Sequence, residues 1–476
     1  MIQPLNSSFR DPNGFIFKHE CTFYRQVNQC CSDIFDRFND SGLYEALVNK
    51  GYLIPHVDVT ESEIPRSPLC YRLLKPTQLP YISYPYEWCF SQFQDAAMLT
   101  LRIQTVALKF GFVLKDASAY NVQFVSGKPI FIDTLSFEPY QEGQAWTAYR
   151  QFCQHFLAPL ALMSCVDVAL GKMMMTYIDG IPLDLASKLL PIKSRLSIGL
   201  QTHIHLHAKM QASYSNTAER NSGEIQNSKK DLKKIAKSGL QGIVESLAVT
   251  VRRLRGSTSA TEWGNYYEQT NYDEQATAAK RILVADFLDT PDEPLSIIQD
   301  LGSNTGEFSR IAAPFSNLVV SQDIDPLAVE KNYLSLRAEA KETNVLPLIQ
   351  DFSAPSPAIG WANRERNSFM QRAQCDLVMA LALIHHLAIT NNLPLEVIGR
   401  SFAQLGQWLI IEFVPKTDSQ VRRMLATRND TFPDYHQFGF ELAFERNFEV
   451  RRREMIKGGH RTLYLMRRKS SREIFL

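Results

Sequence analysis

The second half of the chain is expected to fold as an α/β domain around a parallel sheet, and three observations predict it. Short apolar runs alternate with helical segments. A glycine-bearing turn, Asp300-Leu301-Gly302-Ser303-Asn304-Thr305-Gly306, follows the first run and opens a helix. Acids stand at the ends of the first three runs, at Asp300, Asp323 and Asp351. Strand–helix alternation of this kind buries a parallel sheet beneath helices.

Taken in order, Ser296–Asp300 is the first strand and Glu307–Ala313 a helix. Leu318–Asp323 is a second strand, and Pro326–Ala340 a second helix, with Asp325 as N-cap and Pro326 at its first position. Val345–Gln350 is a third strand, Asp376–Leu383 a fourth and Trp408–Phe413 a fifth, with the helix Leu395–Leu405 before the last. Glu449–Arg451 and Thr462–Met466 flank Lys457-Gly458-Gly459-His460, which predicts a closing antiparallel hairpin.

A chain of 476 residues exceeds one ordinary core, so two or three domains are expected. The zones are 1–210, globular; 211–255, a polar, lysine-rich linker (Lys229, Lys230, Lys233, Lys234, Lys237) running into a helix; and 256–476, the α/β domain. The lysines read as a solvated helix face. With 45% hydrophobic residues and a net charge of +1, nothing pulls the chain toward nucleic acid or membrane. The polar start, the lack of a long apolar run and eight scattered cysteines without a CxxC pair predict a cytoplasmic protein with reduced thiols and no membrane partner.

The glycines at 302 and 306 let the backbone turn tightly and approach a ligand, and the amides opening the helix can face a carboxylate. Asp300 suits a cationic amino group. Asp323, about twenty residues past the glycines, stands where dinucleotide folds place an acid on ribose hydroxyls. Asp351 can accept from an adenine amino group, with Phe352 beside the ring. The plain alternative for Asp351 is a strand-end cap.

Together these residues resemble the class I S-adenosylmethionine-dependent methyltransferases, over roughly residues 263–468. The resemblance implies a Rossmann-like domain that binds S-adenosylmethionine. It places Asp300, Gly302 and Gly306 at the methionine end, Asp323 at the ribose, and Asp351 with Phe352 at the adenine. The motif departs at its middle glycine, which is Asn304. Trp263, Tyr266, Tyr267 and Tyr272 precede the first strand, where a leading helix can cover the cofactor.

Methyl transfer requires the reactants to be held in line, with a base only where the acceptor keeps its proton. His385 or His386, at the end of the fourth strand, is the candidate base; the alternative is a structural histidine. An Asn-Pro-Pro-Tyr acceptor motif is absent. Glu412, Lys416 and Asp418 are candidate acceptor contacts, Glu412 having the alternative of pairing with a neighbour; Asp434, Tyr435 and His436 form a cluster of no assigned role. The acceptor, small molecule or macromolecule, is not specified.

The first zone carries Asp116, Asn121 and, after an expected hairpin, Asp133. This spacing resembles kinase-like phosphotransferases, which implies an α+β fold. It implies Asp116 as base, Asn121 and Asp133 as Mg2+ ligands, ATP as cofactor, and Ser83–Trp88 as an adenine-facing hinge. No glycine-rich phosphate loop accompanies the motif, and Lys18, Arg25 and Lys75 do not match the strand-borne lysine. A degenerate kinase-like domain holding acceptor or partner is therefore expected. His203, His205 and His207 would share a face on a strand, but their neighbours read as helical. The layout as a whole resembles bacterial methyltransferase-like proteins grouped with a nodulation-associated family. The expected function is methyl transfer from S-adenosylmethionine. The alternatives are a non-catalytic cofactor-binding regulator and a phosphotransferase using Asp116, Asn121 and Asp133.

Overall fold

The computed structural model describes residues 3–60, 64–210, 236–256, 274–339, 341–426 and 430–470. Trp263, Tyr266, Tyr267, Tyr272 and linker lysines 229, 230, 233 and 234 lie outside them. The chain divides into two compact units, Met1–Thr258 with Ala358–Arg366, and Ser259–Pro357 with Asn367–Leu476.

The first unit opens with a hairpin of β1 (Gly14–His19) and β2 (Thr22–Asn28). Two helices, Ser32–Asp40 and Leu43–Asn49, lead to β3 (His56–Asp58) and β4 (Cys70–Pro76), giving an antiparallel sheet of order β1-β2-β4-β3. The helix Phe90–Lys109 forms the core of the rest, with Phe93, Ala96, Ala97, Ile103 and Ala107 fully buried. The Gln92 side chain accepts from the Cys89 amide at 3.0 Å and so caps its first turn. Beyond it lie β5 (Phe112–Leu114), β6 (Val122–Val125), β7 (Lys128–Phe131) and β8 (Phe137–Pro139). β6 and β7 form the expected hairpin, with Ser126 at φ +50° and Gly127 at +76°, the signs a two-residue turn of the primed type needs. Among the described residues the remainder is mainly helical, and the helix Lys237–Arg253 packs on Phe90–Lys109. The unit mixes antiparallel strands with helices.

The second unit is a Rossmann-like α/β domain. Its strands are β9 (Leu295–Leu301), β10 (Ser316–Asp323), β11 (Val345–Ile349), β12 (Cys375–Ala380), β13 (Gly406–Phe413), β14 (Phe448–Met455) and β15 (Thr462–Arg468). They form one seven-stranded sheet of order β11-β10-β9-β12-β13-β15-β14. The first five strands are parallel, and β15 joins β13 antiparallel, closing the sheet with the expected hairpin. Pro347 lies within β11, an edge strand, where a missing ladder donor is tolerated. Helices cover both faces, and two apolar clusters form the layers. One gathers Phe402, Phe440 and Phe444; the other gathers Phe287, Phe308 and Leu336.

Strand order reverses between β9 and β12, whose connections leave on opposite sides of the sheet. A crevice opens there beyond the strands' carboxyl ends, the general ligand position in open α/β sheets. The fourth strand stops at Ala380 rather than Leu383, because the chain turns through Ala382 at φ +52° into the helical turn His386–Thr390.

Candidate functional site

A cavity of about 310 Å³ occupies that crevice. Asp300, Gly302, Ser303, Asn304, Asp323, Asp351, Phe352 and His386 all line it. Seven expected cofactor or catalytic residues thus meet there, together with Ser303. Gly306 and His385 are not among the lining residues.

The turn after β9 takes left-handed backbone at alternate positions, with φ +76° at Gly302, +50° at Asn304 and +79° at Gly306. Asparagine tolerates that region better than other non-glycine residues, so Asn304 serves where the motif has glycine. Two bonds hold it there: its amide donates to Asp323 Oδ2 at 2.8 Å, and its side-chain oxygen accepts from the Thr305 amide at 2.8 Å. Gly306 has a packing reason. A Cβ added there would lie 2.3 Å from Asn332 Nδ2, so the turn and the helix Pro326–Ala338 approach too closely for any side chain.

Asp300 is almost fully buried, and Ser309 donates to its Oδ2 at 2.5 Å. Ser309, Ser321, Ser303 and Asn332 continue this contact as a buried polar chain. Burial is the main cause that pushes the Asp300 carboxyl up to about 7, against the Ser309 hydrogen bond and the nearby Lys280 charge. Asp323 accepts amides from Asn304 and Asp325, yet burial raises it to about 6. Asp325 caps the next helix through the Leu327 amide, as expected. Asp351 Oδ1 accepts from the amide and hydroxyl of Ser353, and Phe352 meets Phe369 edge-on at 5.6 Å. Strand-end capping and cavity lining thus coincide at Asp351.

The histidine rings lie 4.1 Å apart between centroids. His385 is fully buried with neither ring nitrogen hydrogen-bonded among the described residues, and burial holds it neutral, far below the usual range. His386 faces the cavity and is lowered to about 4, chiefly by burial and further by Arg461.

Sequence reasoning missed Lys280 and Arg461, which both line the cavity. Lys280 lies 2.6 Å from Glu412 Oε2, and Arg461 bridges Glu412 at 3.2 Å and Asp418 at 2.8 Å, all largely buried. No motif marks these two cations; only the fold brings the helix Glu274–Leu288 and the start of β15 together. Glu412 is engaged by this network, Lys416 pairs with Asp430, and Asp418 also caps the helix Ser419–Leu425. Tyr435 is buried and donates to the Val414 carbonyl, while His436 caps the helix Gln437–Glu445. These account for the unassigned cluster except Asp434.

In the first unit, Asp116 accepts from the Ser118 amide and from Gln151. Asp133 pairs with Arg25 at 2.6 Å and also accepts from the Ser136 hydroxyl and the Leu135 amide. Asn121 reaches the same hydroxyl at 3.4 Å. Both Asp133 oxygens are therefore engaged, and a guanidinium already neutralises the charge a metal would meet. Asn121 and Asp133 do not fit Mg2+ in this arrangement, and among the described residues no cluster of three or more acid, histidine or cysteine side chains could hold a metal. Tyr84, Tyr86 and Trp88 of the expected hinge are buried, with the Trp88 ring nitrogen donating to Ser83. His203 bonds Tyr149 and Ser246, and His205 bonds Ser187 and Ser194, in and beside a helical segment.

The chain is 36% identical over 465 residues to nodulation protein NoeA of Rhizobium meliloti (strain 1021), covering 97% of this chain and 95% of that protein. The chain belongs to the NoeA family. No family model matches it. Solved structures similar to part of it include the N-methyltransferase NodS of Bradyrhizobium japonicum WM9, 11% identical with a TM-score of 0.30 over 42% of this chain and 99% of that one. Another is magnesium protoporphyrin IX methyltransferase of Synechocystis PCC 6803 with bound SAH, 16% identical with a TM-score of 0.31 over 44% and 93%. Among the described residues, no helix of this NoeA relative is long and apolar enough to cross a membrane.

Proposed function

We propose that the second unit binds S-adenosylmethionine in the crevice cavity and transfers its methyl group to an acceptor. The observation that carries this reading is the sequence of carboxylates along one cavity. Asp300, Asp323 and Asp351 stand at the ends of three successive strands, beside a turn with left-handed backbone. The residues fit the cofactor. Asp300 is a buried acid raised toward neutrality, which a cationic amino group would satisfy. Asp323 offers an acceptor to ribose hydroxyls, and Phe352 beside Asp351 offers an apolar face and an acceptor to adenine.

When bound, the cofactor supplies a sulfonium methyl open to direct displacement. The protein's task is to orient and to exclude water. Leu381, Leu383 and Leu387 give the cavity apolar walls beside His386, Thr390 and Asn391, which are polar contacts for an acceptor. His386 is the candidate proton acceptor, since it faces the cavity and is neutral at pH 7, while His385 supports the turn from within. With His386 as base, the acceptor's proton would pass to the imidazole nitrogen, and the cofactor's sulfur would be the leaving group. The Arg25–Asp133 pair disfavours a phosphotransferase reading of the first unit.

Co-crystallisation with S-adenosylhomocysteine tests the proposal. Density for adenine near Phe352 and for the amino group near Asp300 is the expected result; an empty crevice at saturating ligand would contradict it.

A further inference from the structure

In the first unit, the helix Leu183–Leu189 gives way at Pro191 to the turn Ile192–Leu196 and then to Ile198–Leu200. Ile192 and Leu196 are each 85% exposed, and Ile198 is 82% exposed. Leu189 is also exposed. A single exposed aliphatic side chain is ordinary, but a run of them within ten residues is not.

The segment is fixed in place. Ser194 bonds His205 at 2.9 Å, Leu190 and Leu200 are buried, and a Cβ added at Gly199 would lie 1.9 Å from Thr250 Oγ1. Between these anchors the aliphatic tips stand outward. Along the chain this stretch is basic, although Lys188 at its start pairs with Asp184 at 3.4 Å. From Leu185 to Met210 the chain has no Asp or Glu, while it carries Lys188, Lys193, Arg195 and Lys209. Lys193 and Arg195 are exposed and alternate with the aliphatic tips.

We infer that this face docks on an anionic lipid surface, with Ile192, Leu196 and Ile198 entering the boundary between headgroups and acyl chains and Lys193 and Arg195 meeting the headgroups. Two features favour lipid over a protein partner. Side chains more than four-fifths exposed are projections, which a soft medium can close around without matching pockets. A carboxylate-free basic stretch complements the negative potential of an anionic leaflet. The sequence alone predicts no membrane partner, because its net charge is +1 and it has no long apolar run.

The test uses the full chain and sedimentation with vesicles of phosphatidylcholine alone or mixed with phosphatidylglycerol. Binding to the mixed vesicles, weakened by salt, is expected. The triple variant Ile192→Ser/Leu196→Ser/Ile198→Ser and the double variant Lys193→Glu/Arg195→Glu should each lower it by about tenfold or more. Circular dichroism checks that each folds, and the double variant, which alters surface charge alone, decides the matter if the triple variant does not. Absence of vesicle binding, or binding that a folded variant leaves unchanged, would overturn the inference. So would a wild-type dimer that the triple variant converts to monomer, since a second copy would then cover the face.

Discussion

The Asn304 amide donates to Asp323 Oδ2 at 2.8 Å, tying the turn after β9 to the end of β10. The Asp325 amide donates to the other oxygen at 2.9 Å. One carboxylate therefore shapes the turn while lining the cavity. Asp323→Ala should remove both acceptors and destabilise the protein by about 2 kcal/mol, on the scale of stranded buried donors. Asp323→Asn, which keeps one acceptor oxygen, should cost less. Urea unfolding of the two variants checks the order, and equal losses would contradict it.

The two buried acids give a pH dependence of defined sign. Burial raises Asp300 to about 7 and Asp323 to about 6, whereas both titrate near 4 when unfolded. Between these values the folded protein holds more protons than the unfolded chain, so stability contributed by these groups falls as pH rises through about 4 to 7. A cationic amino group favours ionised Asp300, so S-adenosylmethionine should raise the melting temperature more at pH 8 than at about pH 5.5. Thermal melts at both values check this; a shift independent of pH would contradict it.

The glycines are expected to differ. Gly302→Ala places its Cβ 3.2 Å from the movable Leu383 tip, but Gly306→Ala places it 2.3 Å from Asn332, and both positions have positive φ. Gly306→Ala should therefore be the more destabilising, by about 1 kcal/mol or more beyond the shared backbone strain. Melting temperatures of the two variants decide it.

Glu412 stands between Lys280 and Arg461, and all three are nearly inaccessible to solvent. Glu412→Ala removes a buried carboxylate from beside Lys280, while Arg461 keeps Asp418. A loss of about 3 kcal/mol is expected, since removing one partner of a buried pair takes away its main compensation. Denaturant unfolding checks it, and a loss below about 1 kcal/mol would contradict a buried pair.

Arg25 occupies the charge of Asp133 at 2.6 Å, so the first unit should not take up Mg2+ with ATP. Calorimetry of the wild type with the magnesium–nucleotide complex should show no heat of binding. Saturable binding lost in Asp133→Ala would contradict this.

Much of the second unit was legible because its signals are local. Strand periodicity, the left-handed turn and the Asp325–Pro326 helix start each arise from neighbouring residues, and β9, β10 and β13 run close to their expected limits. The end of β12 was not legible, because the apolar run continues past Ala380 while the backbone turns at Ala382. His385 and His386 look alike in sequence; only the helical turn His386–Thr390 directs one to the cavity and buries the other. Lys280 and Arg461 are 181 positions apart in numbering and carry no local signature, so only the sheet order brings them to Glu412. In the first unit the hairpin between Asn121 and Asp133 was expected from the sequence and formed by neighbouring strands, whereas the Arg25 contact depends on how β2 lies across the fold.

Calorimetry of the purified protein with S-adenosylmethionine, alongside Asp323→Ala and Gly302→Val, tests the central claim most directly. Binding in the micromolar range, about −8 kcal/mol, is predicted for the wild type, with both folded variants weaker by about tenfold or more. A folded wild type that produces no heat of binding, or variants that bind as tightly as it does, would contradict the assignment of the crevice.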